Sequence, residues 1–258
     1  MAIRLPRRLA HGEAAELVDH LGELRTRLFV SIAALIIASA GAYIFHARLI
    51  RLLNGPLDGR EPVTFSVAEP FMTSLKVSLC AGFLLALPVL LWQLWGFLAP
   101  AFESGRQRVI AMCVAASGLL MAIGVAFGFL VALPAAVSFL TNFDSDLYNV
   151  QVRASSYYSF ALLVLLSVGV VFQLPLFVLT LVRLGVTSAT RLRRNRRLGY
   201  LIVTVVAVAL PGVDPVTTLF ELVPLVALFE ASIWLSVLME RRLERGSEVL
   251  PGAAHSTS

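Results

Sequence analysis

The stretch LFVSIAALIIASAGAYIF, residues 28–45, holds no charged side chain and directly follows a segment crowded with them. A helix needs roughly 20 apolar residues to cross the hydrocarbon core of a bilayer, so this stretch reads as a first membrane span. The same pattern of apolar runs between charges repeats along the chain. Residues 77–101 lie between Lys76 and Glu103 and form a second span. Residues 109–143 are uncharged for 35 positions, more than one crossing requires. They read as a third span ending near Pro134, followed by an apolar segment at the far surface. Residues 154–182 form the fourth span. The fifth, 198–213, has only 16 residues between Arg197 and Asp214, about 24 Å of helix against a core of about 30 Å. The sixth runs from Pro215 to about Met239 and carries Glu221 and Glu230.

Composition agrees with this reading. Hydrophobic residues make up 58% of the 258 residues and charged residues 14%, with a mean hydropathy of +0.84. A soluble domain carries about a quarter charged residues, so the charge here is too sparse to coat a globule in water. An all-α polytopic membrane protein follows. It forms one membrane domain over 1–245, with short fifth and sixth spans and a tail at 246–258 that is expected to be disordered. No cleavable signal is expected in the first 27 residues, where charges occur throughout.

Basic residues orient the spans. Sixteen of the 21 lie in the N-terminal segment, the loops after spans two and four, and the C-terminal segment. Arg48, Arg51, Arg60, Lys76 and Arg153 lie on the other side. The positive-inside rule then places both termini in the cytoplasm. Pro88, Pro175 and Pro224 fall inside spans, where each removes an amide donor and invites a kink. Gly124 and Gly128 form a GxxxG in span three, read as close helix packing within the chain.

Several chemistries are excluded. Cys80 and Cys113 have no thiol or His nearby in sequence, so neither a disulfide nor a metal site is indicated. The four His residues fall outside the spans or at their edges, and no paired intramembrane Asp exists, which argues against an intramembrane protease. No internal repeat supports a transporter, although a small-solute or ion carrier using Glu230 and Gln173 is the alternative to weigh.

The N-terminal segment is the most informative. In LVDHLGELRTRL, residues 17–28, Leu17, Leu21, Leu24 and Leu28 recur at helical spacing. A helix over about 14–27 would lie in the membrane interface on that leucine face and then turn into span one. It would show Glu23 and Arg25 to the cytoplasm. Glu23 is open to two readings: an i,i+4 pair with Arg27, worth about 0.3–0.5 kcal/mol on an exposed helix, or a carboxylate offered to a guanidinium of a partner.

HLGELRTRL, residues 20–28, resembles the HLxELRxRL motif that opens TatC, the receptor subunit of the twin-arginine protein translocase. Other matches follow in order: NGPL at 54–57 with Pro56, EPF at 69–71 with Phe71, and LPVLLWQLWGFLAP at 87–100 with Phe97 and Pro100. FQLP at 172–175 with Gln173 and Pro175 comes next, then GVTS at 185–188, Asp214-Pro215, and the stretch from Pro224 to Phe229-Glu230. The resemblance implies a six-span, curved receptor in the bacterial inner membrane. Such a receptor binds twin-arginine signal peptides of folded cargo at the cytoplasmic face. It works in a multimeric complex with TatA- and TatB-type subunits, driven by the proton gradient. No enzyme activity, cofactor, metal or nucleic-acid partner is implied, and no GxxxxGK[ST] loop is present.

On this resemblance Glu23, with Arg25 beside it, matches the family's signal-binding carboxylate. The family usually carries a second glutamate after span two, but that position here is Arg106. Glu103 is proposed to substitute, against the simpler reading that it pairs with Arg106. Gln173 is either a hydrogen bond filling the amide gap at Pro175 or a polar spot where a partner helix docks. Asp214 reads as an N-cap ahead of Pro215. Glu230, deep in span six, is functional by default at that depth.

Overall fold

The computed structural model describes residues 11–98, 106–147, 150–183, 186–209 and 215–248. Ten α-helices are described: α1 (His11–Ile44), α2 (His46–Leu53), α3 (Glu69–Leu98), α4 (Arg106–Phe127), α5 (Leu133–Asn142), α6 (Ala154–Val171), α7 (Leu174–Arg183), α8 (Ala189–Arg194), α9 (Arg196–Ala209) and α10 (Pro215–Glu248). Among the described residues, the sole β-structure is one isolated parallel bridge between Val63 and Arg153. Five segments are long and apolar enough to cross a membrane: Gly22–Ile44, Glu69–Leu94, Val114–Asn142, Ala154–Val182 and Thr218–Leu238.

Three expectations change. The turn expected between an interfacial helix over 14–27 and the first span does not form, because α1 runs unbroken from His11 to Ile44. No proline interrupts those residues, and nothing else in them forces the backbone out of the helical basin. The third span does not end near Pro134. A π-helical turn, Gly128–Ala132, joins α4 to α5 with Pro134 in the first turn of α5. The wider turn makes room for the proline ring and its missing amide, so the chain continues to Asn142. The last apolar segment is not short as expected: it lies in α10, which has 34 residues and takes Pro224 into its interior. α9, where the fifth span was expected, is described over 14 residues, about 21 Å, and is not one of the five segments.

The helices meet through small residues. A Cβ at Gly82 would lie 2.4 Å from the Ser39 Cα, so α1 and α3 touch backbone to backbone there. Gly124 and Gly128 face Phe172 and Leu165 of the fourth span, which makes the GxxxG an intramolecular contact, as its spacing suggested. At Pro175 the fourth span breaks into α6 and α7, with Phe172 and Gln173 between them.

The end of the bundle near Asn54 is tightly built. Leu53, Leu57, Val77, Leu133, Val137, Tyr157 and Tyr158 share one buried cluster. The Tyr157 hydroxyl donates to the Leu53 carbonyl, and the Tyr158 hydroxyl donates to Asn54 Oδ1 at 2.6 Å. At the opposite end Ser188 caps α8, and Glu240 of α10 accepts from the Ala189 amide at 2.8 Å. The apolar window of α1 is only 6% buried, against 39% for the windows of the α4–α5, α6–α7 and α10 segments. α1 therefore lies at an edge, held chiefly by α3.

Candidate functional site

Glu23 stands one helical turn before Arg27 on α1, so their side chains share a face. The Arg27 guanidinium donates to Glu23 Oε1 from Nε at 3.1 Å and also from Nη2. Its Nη1 reaches across to α3, donating to the Gln93 carbonyl at 3.4 Å and to Gln93 Oε1 at 3.3 Å. The approach is possible because residue 96 has no side chain. A Cβ there would lie 2.2 Å from Arg27 Nη1 and 3.0 Å from its Cζ. Arg27 is the more buried partner, with its side chain 23% exposed against 37% for Glu23. Arg25 is exposed, its guanidinium 5.7 Å from the centre of the Phe29 ring. The simple pairing of Glu23 with Arg27 is thus present, and it is tied to a second helix.

The other expected positions are distributed. Gln173, at the break in the fourth span, donates from Nε2 to the Ser117 carbonyl of α4 at 3.1 Å. It does not fill the gap left by Pro175 in its own helix. Its Oε1 and the Ser117 hydroxyl are buried with no hydrogen-bond partner, which leaves polar capacity inside the bundle. Glu230 of α10 takes the Tyr200 hydroxyl on Oε1, and its Oε2 lies 3.3 Å from Arg196 Nη2. Both partners are on α9, so Glu230 fastens α9 to α10. A Cβ at Gly199 would overlap the Phe229 ring, which lets the two helices close around this contact. Pro56 lies in a 3-10 turn, Gly55–Leu57, whose Leu57 is buried. Phe71 is exposed on α3, Phe97 is half-buried near its end, and Pro175 is buried in the first turn of α7. Pro100, Glu103 and Asp214 lie outside the described residues.

Sequence reasoning did not single out Gln93, Gly96 or Glu69. Gln93 and Gly96 are three apart, hence on one face of α3, in a segment otherwise apolar. That lone polar side chain beside a glycine was the signal to follow. Glu69 is 6% exposed. It accepts from the Phe65 amide and the Ser155 amide at 2.9 Å each, and from Arg153 Nε at 3.1 Å. Its carboxylate meets the N-terminus of α6, where helix amides lack intrahelical partners.

Comparison with known proteins fits this geometry. The profile of the Sec-independent protein translocase protein family (TatC) matches residues 19–224. The chain belongs to the TatC family. It is 34% identical over 223 residues to the Sec-independent protein translocase protein TatC of Carboxydothermus hydrogenoformans, covering 85% of this chain and 92% of that one. The Escherichia coli K12 TatC is 32% identical over 225 residues, covering 85% and 87%. A crystal structure of the twin arginine translocase receptor TatC in DDM superposes with a TM-score of 0.75 at 33% identity. That superposition covers 84% of this chain and 99% of the other. The TatC-family match includes α1 with Glu23 and Arg27, α3 with Gln93 and Gly96, and the break at Gln173.

Proposed function

We propose that the chain is a signal-peptide receptor of a twin-arginine translocase in a bacterial inner membrane. In this reading six spans form one domain over 1–245, α9 supplying the fifth, with a cytoplasmic tail at 246–258. Both termini face the cytoplasm, where the basic residues concentrate. The observation that carries the reading is the half-exposed Glu23 carboxylate, held beside α3 at the end of the apolar part of α1. A guanidinium is planar and donates in pairs, so a fixed carboxylate at a membrane boundary is a fitting receiver for an arginine of a signal peptide. Arg25 and Glu103 complete the proposed signal-binding set.

Binding would leave the cargo folded in the cytoplasm and recruit TatA- and TatB-type subunits into a multimeric complex that uses the proton gradient. Gln173, with its buried Oε1 lacking a hydrogen-bond partner, supports a polar docking spot on a concave inner face. Glu230 and Asp214 belong to the same proposed partner-facing region. No bond is made or broken by the chain itself; its work is recognition and assembly.

The test is crosslinking of the purified chain to a signal peptide bearing paired arginines, beside a peptide with both replaced by lysine. Lysine keeps the charge and loses the planar fork. The arginine peptide is expected to crosslink and the lysine peptide to fail. Equal crosslinking of both would overturn the reading.

A further inference from the structure

We propose that Arg27 is a positioning residue for Glu23, and that Gly96 is the seat that lets it act. The side chain at 96 thereby sets how strongly the receptor holds a signal arginine. The proposal rests on the reading of Glu23 as the signal-binding carboxylate.

A glutamate on an exposed helix face samples several rotamers, and selecting one costs a ligand free energy. Here the choice is made in advance. Arg27 grips Glu23 Oε1 from two nitrogens, but an i,i+4 pair alone would move as a unit with α1. What stops that motion is the far side of the guanidinium. Nη1 reaches both the main-chain and the side-chain oxygen of Gln93. Nη1, Cζ and Nη2 lie within 2.2, 3.0 and 3.1 Å of the point where a Cβ of residue 96 would stand. Arg27 therefore occupies the volume that any other residue at 96 would fill. Its guanidinium is locked to α3, and α3 is itself locked to α1 farther along by the backbone contact of Gly82 with Ser39. The carboxylate direction is thus referred to a second membrane helix. Preorganisation of this kind raises affinity without adding a contact to the ligand.

Arg27 could instead act as an internal competitor that a signal arginine must displace. The two roles predict opposite signs. A positioning residue weakens binding when removed; a competitor strengthens it.

The experiment uses the full-length chain in lipid nanodiscs and a fluorescent peptide bearing paired arginines, with Kd read by anisotropy. Glu23→Gln, Arg27→Gln, Arg27→Lys, Gly96→Ala and the double variant Arg27→Gln/Gly96→Ala are compared. Arg27→Gln and Gly96→Ala are each expected to weaken binding about fivefold, the range one oriented charge pair can supply. The double variant is expected to be no weaker than Arg27→Gln alone, because both changes cut the same link. Arg27→Lys is expected to fall between wild type and Arg27→Gln. If Arg27→Gln fails to insert, Arg27→Lys with Gly96→Ala carries the same non-additivity test. Tighter binding by Arg27→Gln, wild-type binding by Gly96→Ala, or losses that multiply in the double variant would each overturn the proposal. Glu23→Gln separates the two levels. If it binds as wild type, the site itself is misassigned; if it alone loses binding, only the positioning role falls.

Discussion

The two ends of the helical bundle are held by different means. At the Glu69 end a buried carboxylate gathers two backbone amides and an arginine from segments more than eighty residues apart. Around it, Val63 exchanges hydrogen bonds with Val152 and Ala154, and Tyr158 reaches Asn54. At the Glu23 end a half-exposed carboxylate has an arginine from its own helix, backed by one glutamine and one glycine of α3. Both ends use a glutamate and an arginine. The first pair joins the fold together, and the second points a charge outward. Burial of the carboxylate makes the difference. Glu69 is buried and holds two backbone amides besides a half-exposed Arg153, so its loss leaves amides without an acceptor, whereas an ion pair at the surface contributes little to stability.

The largest effect is expected from Glu69→Ala. It removes the acceptor for the Phe65 and Ser155 amides and leaves Arg153 without its carboxylate. The thermal unfolding temperature of the solubilised protein should drop further than with Gly82→Ala or Glu23→Gln. An unchanged melting curve would show that the loops at that end hold without it. A smaller effect is expected from Gly82→Ala. The new methyl would meet the Ser39 backbone, so α1 and α3 must separate, at a cost of about 1–3 kcal/mol for overpacking. Denaturant unfolding in mixed micelles measures it, and a shift below the error of the method would mean that α1 slides instead.

The smallest effect on stability is expected from Glu23→Gln. A partly exposed i,i+4 pair contributes about 0.3–0.5 kcal/mol, so the same unfolding assay should barely separate it from wild type. A loss comparable to that of Gly82→Ala would erase the contrast, because Glu23 would then be a structural anchor like Glu69. Gly82 and Gly96 sharpen the same point within one helix. They stand about four turns apart on α3. A methyl at the first meets backbone, whereas at the second it meets the guanidinium of Arg27, which only hydrogen bonds hold in place.

The extent of sequence legibility follows from range. The apolar runs at 28–45 and 154–182 announce spans because lipid excludes charge, a rule that acts residue by residue. Glu23 and Arg27 are legible as a pair because helical spacing is local. The continuation of the third span past Pro134 is not, since a π-helical turn absorbs the proline without any residue that marks it. The continuation of α10 past Met239 to Glu248 is hidden because residues 240–248 are mostly charged and mark the end of an apolar run, not of a helix. Within the apolar run, Glu221 and Glu230 look like charges that a span should avoid. Yet Glu221 is 2% exposed and Glu230 is engaged by Tyr200 and Arg196.

Sequence alone determined the solvent of this protein, the rough position of most of its apolar stretches, and the helix face that carries Glu23. Hydropathy, charge and the 3.6-residue period all operate within a few turns of chain. Only the tertiary structure decided that Arg27 rests on Gly96 and that Glu69 receives the N-terminus of α6. It also decided that Glu230 belongs to α9 as much as to α10. Each of these is a contact between residues distant in sequence. Its partner is selected by how closely two backbones can approach, and the glycines show that distance only once the helices are side by side.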